Sequence, residues 1–124
     1  MKRWRIEFYK DGAGHEPVKQ WLEELFEEVR GKVMARIDLL AQHGPTLDFP
    51  YTSQIEGRLR EMRMRFGKTR YRVLYFFNDD RTGILLHGFT KDTAAVPVYD
   101  KNVAGSRMKD HVDRMKQKGH SPRK

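Results

Sequence analysis

The chain has 124 residues, a formal net charge of +8 and no cysteine. This length fits one compact domain. The charge favours a polyanionic partner such as RNA, DNA or an anionic membrane. The lack of cysteine excludes disulfides, thiolate metal ligands and cysteine nucleophiles. No apolar run approaches the roughly 20 residues of a membrane helix, and the start lacks the apolar core of a signal peptide, so we expect a cytoplasmic protein that does not span a membrane.

The first predicted element is a strand over residues 3–9. Apolar and polar residues alternate there, with Trp4, Ile6 and Phe8 on one face and mostly charged side chains on the other. This period of two is typical of a half-buried strand. The glycines of the segment 11–14 permit the backbone angles of a turn, so we expect the strand to end before them.

Two helices are predicted next. Pro17 suits a first helical position, and apolar residues follow at helical spacing in two stripes that are out of phase with each other. The first stripe comprises Val18, Trp21, Leu22, Leu25 and Phe26, and the second comprises Val29, Val33, Ile37, Leu40 and Ala41. We expect two antiparallel helices joined near residues 26–31. The alternative is one long helix with Gly31 inside it, at a cost of about 1 kcal/mol.

Three strands are predicted after a surface connection over residues 44–57. Residues 59–66 alternate between charged and mostly apolar side chains, and residues 71–77 and 84–89 are rich in aromatic and aliphatic side chains. Turn-like segments at 67–69 and 78–83 separate them. Strands joined by such short loops form an antiparallel meander.

A C-terminal helix is predicted to begin after Pro97, with a narrow apolar stripe on one side. The element order is then β-α-α-β-β-β-α, an α+β fold in which an antiparallel meander sheet packs against a helical hairpin, with the C-terminal helix added. Residues 1–116 are expected to form a single domain. Residues 117–124 are expected to form a basic, disordered tail.

The chemistry of the chain is dominated by cationic side chains. Residues 58–72 contain seven Lys or Arg against one acid, and a guanidinium can hold a phosphate through two parallel hydrogen bonds and stabilise extra charge on it. Arg63, Arg65 and Arg72 fall on adjacent predicted strands and could form a phosphate site, although strand arginines also serve simply to solvate a sheet face. Glu61 is expected to form an ion pair with Arg63.

Three further side chains could take part in such a site. His87 could act as a general acid or base near neutral pH, although a hydrogen-bonded structural histidine is the more common case. Lys91 follows the last predicted strand, and Tyr99 offers a hydroxyl or a stacking ring. The other histidines lack the spacing of a metal site, so no metal ligands are predicted.

Two segments resemble the RelE/ParE superfamily of toxins from type II toxin–antitoxin systems, in its HigB-like, phage-derived branch. Residues 59–77, LREMRMRFGKTRYRVLYFF, are similar to the family's L-x-E-L-R…Y-R-V-x-Y strands, and residues 85–97, LLHGFTKDTAAVP, to its L-L-H-x-F-x-K-K-T…P segment. The predicted helical hairpin ends in LLAQHGP, which also looks typical. The resemblance covers about residues 2–107. Asp92 departs from it, because the family commonly has a second Lys or Arg there.

The resemblance implies a RelE-like fold and a toxin that cleaves mRNA on the ribosome without a metal ion or other cofactor. In such a reaction the ribose 2′-OH attacks the adjacent phosphate, while basic side chains orient it, stabilise the developing charge and protonate the leaving oxygen. The expected partners are a cognate antitoxin, in this branch a helix-turn-helix protein, and mRNA on the ribosome. By position, the catalytic residues would be Arg63, Arg72, Lys91 and Tyr99, with RNA contacts from Arg60, Arg65, Lys68, Arg70 and Arg107.

Two other functions stay open at this point. One is a ParE-like toxin that inhibits gyrase, which needs protein contacts rather than RNA chemistry. The other is a non-catalytic, basic nucleic-acid-binding protein, which the acid at Asp92 and the charge of +6 on residues 101–124 both favour.

Overall fold

The computed structural model describes residues 3–48 and 50–118, and it confirms an α+β fold with a C-terminal helix. Three α-helices and a five-stranded sheet make up the described residues, with one short 3-10 turn at Gly44–Thr46. The elements are β1 (Arg5–Phe8), α1 (Pro17–Glu23), α2 (Glu27–His43), β2 (Thr52–Glu56), β3 (Leu59–Phe66), β4 (Thr69–Phe77), β5 (Thr82–Thr90) and α3 (Val98–Gln117).

The sheet has the strand order β1-β5-β4-β3-β2. Strands β2 to β5 are antiparallel neighbours in chain order, so the predicted meander of β3, β4 and β5 is confirmed. β1 lies parallel to β5 at one edge of the sheet. The register places Arg63 opposite Arg72 and Arg65 opposite Arg70, which brings four arginines together across two strands.

β2 was not predicted, and the expectation that residues 44–57 form only a surface connection is wrong. Thr52–Glu56 pairs with the first half of β3 and forms the second edge of the sheet. Its sequence, TSQIE, contains a single large apolar residue, so neither alternation nor apolar content marks it as a strand. The segment becomes a strand because β3 presents unpaired backbone groups beside it, which is a tertiary effect.

The two predicted helices are present, but their junction lies earlier than expected. α1 ends at Glu23 and α2 begins at Glu27, whereas the junction was predicted near residues 26–31. Gly31 lies within α2, where it is exposed and a Cβ atom would meet no other atom within 4 Å. The cost of a glycine in a helix is small enough for the buried stripe of α2 to offset it.

Two apolar cores lie on the two faces of the sheet. On one face the stripes of α1 and α2 pack on β3, β4 and β5, and on the other face α3 packs on the same strands. The first core includes Val18, Leu22, Val33, Leu40, Met62, Val73, Tyr75 and Leu85, and the second includes Leu59, Leu74, Phe76, Leu86, Phe89 and Ala104. The protein is therefore a three-layer structure, with the sheet in the middle.

The C-terminal boundary of the domain stays a prediction. α3 runs to Gln117, so this first residue of the predicted tail is helical. Residues 119–124 of that tail lie outside the described residues. Among the helices of the described part of the chain, none combines the length and the apolar character needed to cross a membrane.

Candidate functional site

A group of cations lies at the β3–β4 end of the sheet, on the face opposite α1 and α2. Met62 and Met64 point into the core under those helices, and because side chains alternate along a strand, Arg63 and Arg65 point the other way. Arg70 lies opposite Arg65 on β4. α3 covers only the neighbouring part of this face, around Leu59, Leu74 and Phe76.

The loop that follows β5 adds a lysine to this group. Arg70 Nη1 donates a hydrogen bond to the carbonyl of Thr93 at 3.4 Å, and Arg72 Nη1 donates to the carbonyl of Lys91 at 3.2 Å. These bonds place the loop beside β4, and Lys91 keeps about half of its side chain exposed. We call Arg63, Arg65, Lys68, Arg70 and Lys91 the cation cluster; Lys68 lies in the turn between β3 and β4.

Arg72 is fully buried, which the sequence did not indicate. Its exposed fraction is 0 %, its Nε atom donates to Glu61, and its guanidinium lies over the Phe89 ring at 5.2 Å. Its terminal nitrogens donate to the carbonyls of Lys91, Thr93 and Ala94 at 2.7 to 3.2 Å. Arg72 therefore holds the loop after β5 against the sheet, and in this conformation it presents no surface to a ligand.

Glu61 is the acid that balances this arginine. It was expected to be an exposed partner of Arg63, but it is buried with 2 % of its surface exposed, and its Oε2 accepts from Arg72. Its Oε1 lies 3.6 Å from Arg63 Nε. The alternation of side chains along β3 correctly predicted that Glu61 lies on the charged face of the strand. The spacing of residues in the sequence cannot reveal that the rest of the protein covers this part of the face.

His87 takes part in a hydrogen-bonded chain between β5 and α3. Its Nε2 lies 2.7 Å from Asp100 Oδ1, and Arg107 Nη1 lies 3.4 Å from its Nδ1. Burial lowers the pKa of His87, with help from the charges of Arg107 and Lys91, while the hydrogen bond to Asp100 opposes the shift. A neutral ring that donates to Asp100 and accepts from Arg107 satisfies both nitrogens, so His87 links the two elements.

The remaining predicted site residues fall in different places. Tyr99 is 70 % exposed in the first turn of α3, five residues after Ala94, the last residue that Arg72 binds in the preceding loop. Arg60 lies on the other face of the sheet, where it donates to Thr52 Oγ1 at 3.0 Å and to the Tyr75 hydroxyl at 3.4 Å. Arg107 donates to the carbonyl of Leu86 at 2.9 Å. Arg60 and Arg107 therefore form hydrogen bonds within the fold and are not members of the cation cluster.

Asp100 is the residue at this site that sequence reasoning missed. It is the third residue of α3, only 3 % of its surface is exposed, and its Oδ2 lies 3.9 Å from Lys91 Nζ. An acid in the first turn of a helix is ordinarily a solvated partner of the helix dipole. Nothing in the spacing between His87, Lys91 and Asp100 indicates that they meet, because β5 and α3 are brought together only by the fold.

A separate cavity of about 480 Å³ lies between β1 and α3, at the edge of the sheet away from β3. Its lining mixes apolar and charged side chains, including Phe8, Met115, His111 and Arg114. Within the described residues, no three His, Asp or Glu side chains are grouped as they would be around a metal ion.

Comparison with known proteins gives one family and two relatives. Residues 20–109 match the family described as phage-derived protein Gp49-like. A Mycobacterium tuberculosis protein named "Putative toxin HigB3" is 32% identical over 88 residues, which is 69% of this chain and 77% of that protein. A second, "Putative toxin HigB2" from the same organism, is 28% identical over 96 residues, 73% of this chain and 48% of that protein.

The matched residues contain most of the site. They run from α1 to the middle of α3 and include the whole cation cluster, Glu61, Arg72, His87 and Asp100. Both named relatives are HigB proteins, in agreement with the strand motifs around the two β-hairpins. The chain therefore belongs to the Gp49-like family of phage-derived proteins, within the HigB-like branch of the RelE/ParE superfamily.

Proposed function

We propose that this protein is the toxin of a type II toxin–antitoxin pair, and that it inhibits translation by cleaving mRNA on the ribosome. The membership in the Gp49-like family and the names of the two HigB relatives support the toxin assignment. The cation cluster supports the RNA chemistry. Its cognate partner is an antitoxin, of the helix-turn-helix kind that the family resemblance implies.

The observation that carries the proposal is the placement of five cations from two strands, the turn between them and a neighbouring loop at one end of the sheet. Arg63 and Arg65 come from β3, Lys68 and Arg70 from the turn and β4, and Lys91 from the loop after β5. Cations fixed around one phosphate stabilise the charge that develops as a 2′-OH attacks it, and they need no reorganisation during the reaction. A cluster of this kind suits an RNA chain better than a small anion, because it extends over two strands.

Each member of the cluster has a role in the proposed reaction, which uses no metal ion. The 2′-oxygen forms a bond to phosphorus, its proton passes to water, and the bond from phosphorus to the 5′-oxygen breaks. Arg63 and Lys91 neutralise the phosphate, and the Lys91 ammonium protonates the departing 5′-oxygen. Arg65, Lys68 and Arg70 bind flanking phosphates, and the exposed Tyr99 ring stacks on a base. Arg72 acts indirectly, by holding the loop that carries Lys91.

The first test is expression of the protein and of matched variants in growing cells, with mapping of mRNA 5′ ends. Lys91→Ala should lower cleavage by about 100-fold, as expected when one group that stabilises transition-state charge is removed. Lys109→Ala removes the same charge from the exposed outer side of α3, and it should cleave at the wild-type rate. Equal loss in both variants would contradict the assignment of the site.

Non-catalytic RNA binding is the second candidate, and the burial of Arg72 favours it. An arginine that donates all its bonds within the fold leaves one cation fewer for catalysis. Under this alternative, RNA would bind to the cation cluster and new 5′ ends would be absent after expression. A growth arrest with intact mRNA and damaged DNA would instead indicate the gyrase-inhibiting type of toxin.

A further inference from the structure

The third residue of α3, Asp100, lies beneath the cation cluster. One carboxylate oxygen, Oδ1, is 2.7 Å from His87 Nε2, and the other, Oδ2, is 3.9 Å from Lys91 Nζ. Among the described residues, Oδ2 is a buried side-chain oxygen that accepts no hydrogen bond. The carboxylate is therefore fixed at one end by β5, while the other end faces the lysine ammonium.

Burial makes this carboxylate depend on nearby positive charge. An ionised carboxylate removed from water is costly unless hydrogen bonds and an opposite charge compensate it. The first turn of α3 contributes the partial positive charge of a helix N-terminus, His87 contributes one hydrogen bond, and Arg107 lies behind His87 at 3.4 Å. Lys91 is the full positive charge that faces Oδ2 directly.

Asp100 cannot contact RNA itself, because only 4 % of its side chain is exposed and its charge repels phosphate. Lys91 can, because about half of its side chain is open to solvent. A free lysine side chain samples many rotamers, and ordering it at a phosphate costs conformational entropy. An acid that restrains the ammonium before RNA binds removes part of that cost.

The backbone of Lys91 is restrained as well. Arg72 Nη1 donates to its carbonyl at 3.2 Å and to the carbonyl of Thr93 at 2.7 Å. The buried pair of Arg72 and Glu61 thus fixes the start of the side chain, and Asp100 fixes its end. Two buried acids therefore restrain this one lysine, Glu61 through Arg72 and Asp100 directly.

We propose that Asp100 is a positioning residue, which holds the Lys91 ammonium at the place in the cation cluster where it meets the RNA phosphate. The proposal rests on the proposed function for its effect on RNA cleavage, and on the geometry alone for its effect on Lys91. His87 and Arg107 have the supporting role of holding the Asp100 carboxylate in the required orientation.

The test is a double-mutant cycle with Asp100→Asn and Lys91→Ala, measured as kcat and KM for mRNA cleavage on translating ribosomes. Asparagine has the shape of aspartate and can still accept from His87, but it does not attract the ammonium. With Lys91 present, Asp100→Asn should lower kcat about 10-fold and change KM less than 2-fold. In the Lys91→Ala protein it should change kcat less than 2-fold. The same loss in both backgrounds would mean a general structural role and would overturn the proposal.

A second readout does not require cleavage. The rate at which an amine-reactive ester labels Lys91, relative to the exposed Lys68 in the same protein, reports how strongly the ammonium is held. This ratio should rise about 3-fold in Asp100→Asn, and an unchanged ratio would overturn the proposal. If wild-type protein cleaves no mRNA while the ratio rises, the proposed function fails and the positioning of Lys91 stands.

The thermal midpoint shows whether each variant is folded. If Asp100→Asn does not fold, Asp100→Glu takes its place in both measurements, since it keeps the charge and moves the carboxylate by one methylene. In Asp100→Glu the labelling ratio should then rise and kcat should fall. The fall in kcat should occur only when Lys91 is present. A loss of kcat that is equal with and without Lys91 would overturn the proposal for this variant too.

Discussion

Arg72 and Glu61 form an ion pair that neither water nor a ligand reaches in this conformation. Both residues are almost completely buried, and Arg72 also satisfies three carbonyls of the loop after β5. Forming such a pair costs free energy, because both charges lose their contact with water. Removing only one partner costs more free energy still, because the other charge then lies in the interior without full compensation. The pair therefore ties the loop that carries Lys91 to the stability of the sheet.

Replacing Arg72 tests this role. Arg72→Met should lower the free energy of unfolding by about 3–5 kcal/mol, because the buried Glu61 carboxylate would lose its hydrogen-bonded partner and keep only the Arg63 guanidinium at 3.6 Å. Urea denaturation measures the change, and Arg65→Met, on the same face but exposed, should stay within about 0.5 kcal/mol of wild type. Adding Glu61→Leu to Arg72→Met should recover part of the loss. A loss of less than 1 kcal/mol in Arg72→Met would show that Arg72 is not held as described.

The histidines give a dependence of stability on pH. Burial lowers the pKa of both His87 and His111 in the folded protein, with the charge of Arg114 adding to the shift at His111. In the unfolded chain a histidine titrates near its usual pKa of about 6.5. As the pH falls below about 6.5, the unfolded state therefore binds protons before the folded state does. Protonation of these histidines thus lowers the free energy of unfolding below that pH and leaves it unchanged above it.

This dependence should be visible in the slope of stability against pH. The free energy of unfolding from urea titrations should fall between pH 7.5 and pH 5.5, and the double variant His87→Gln, His111→Gln should show a shallower fall. Met34→Leu, at an exposed position of α2 without a titratable side chain, serves as the control and should keep the wild-type slope. A steeper fall in the double variant would contradict the assigned direction of the two pKa shifts.

At the scale of the elements, the packing of α1 on β5 depends on a missing side chain. A Cβ atom on Gly88 would overlap the ring of Trp21, which packs against the core beneath α1. The glycine thus permits close approach of helix and strand. By contrast, Gly31 in α2 has open space around its Cα atom, so its lack of a side chain serves no contact among the described residues.

The two glycines should respond to alanine in opposite directions. Gly88→Ala should lower the free energy of unfolding by about 1–3 kcal/mol, since the added methyl overpacks a filled site. Gly31→Ala should raise it by about 0.5–1 kcal/mol, since alanine is favoured over glycine within a helix. Urea denaturation of the two single variants checks both signs. Stabilisation by Gly88→Ala would mean that Trp21 can move aside without cost.

At the scale of the whole molecule, charge is divided between two regions. Residues 101–124 carry +6 of the net +8, yet many of the cations of α3 are paired with acids or with backbone, such as Lys101 with Glu56 and Arg114 with Asp110. The cation cluster has fewer charges, but they lie on neighbouring strands and on the loop beside them. We expect RNA affinity to follow the cluster rather than the total charge.

The salt dependence of RNA binding tests this expectation. Five phosphate contacts to single-stranded RNA predict a slope of log K against log salt of about −3.5. Arg63→Ala with Lys91→Ala should reduce the slope in magnitude by about 1.4, whereas Arg123→Ala with Lys124→Ala, which removes the same charge from the end of the chain, should leave it unchanged. Fluorescence anisotropy of a labelled RNA gives these slopes. Equal effects of the two double variants would show that net charge alone governs binding.

The sequence by itself determined which segments become helices and most strands, because the apolar period of each segment reports which face it buries. It also determined the family, through the strand motifs around Arg63, Arg72 and Lys91. It missed β2, whose pairing depends on an open edge of β3. Only the tertiary structure decided which charged residues are buried, since a strand pattern does not reveal what covers each face. It thereby placed Arg72 inside, Arg60 on the far face and Asp100 beneath Lys91.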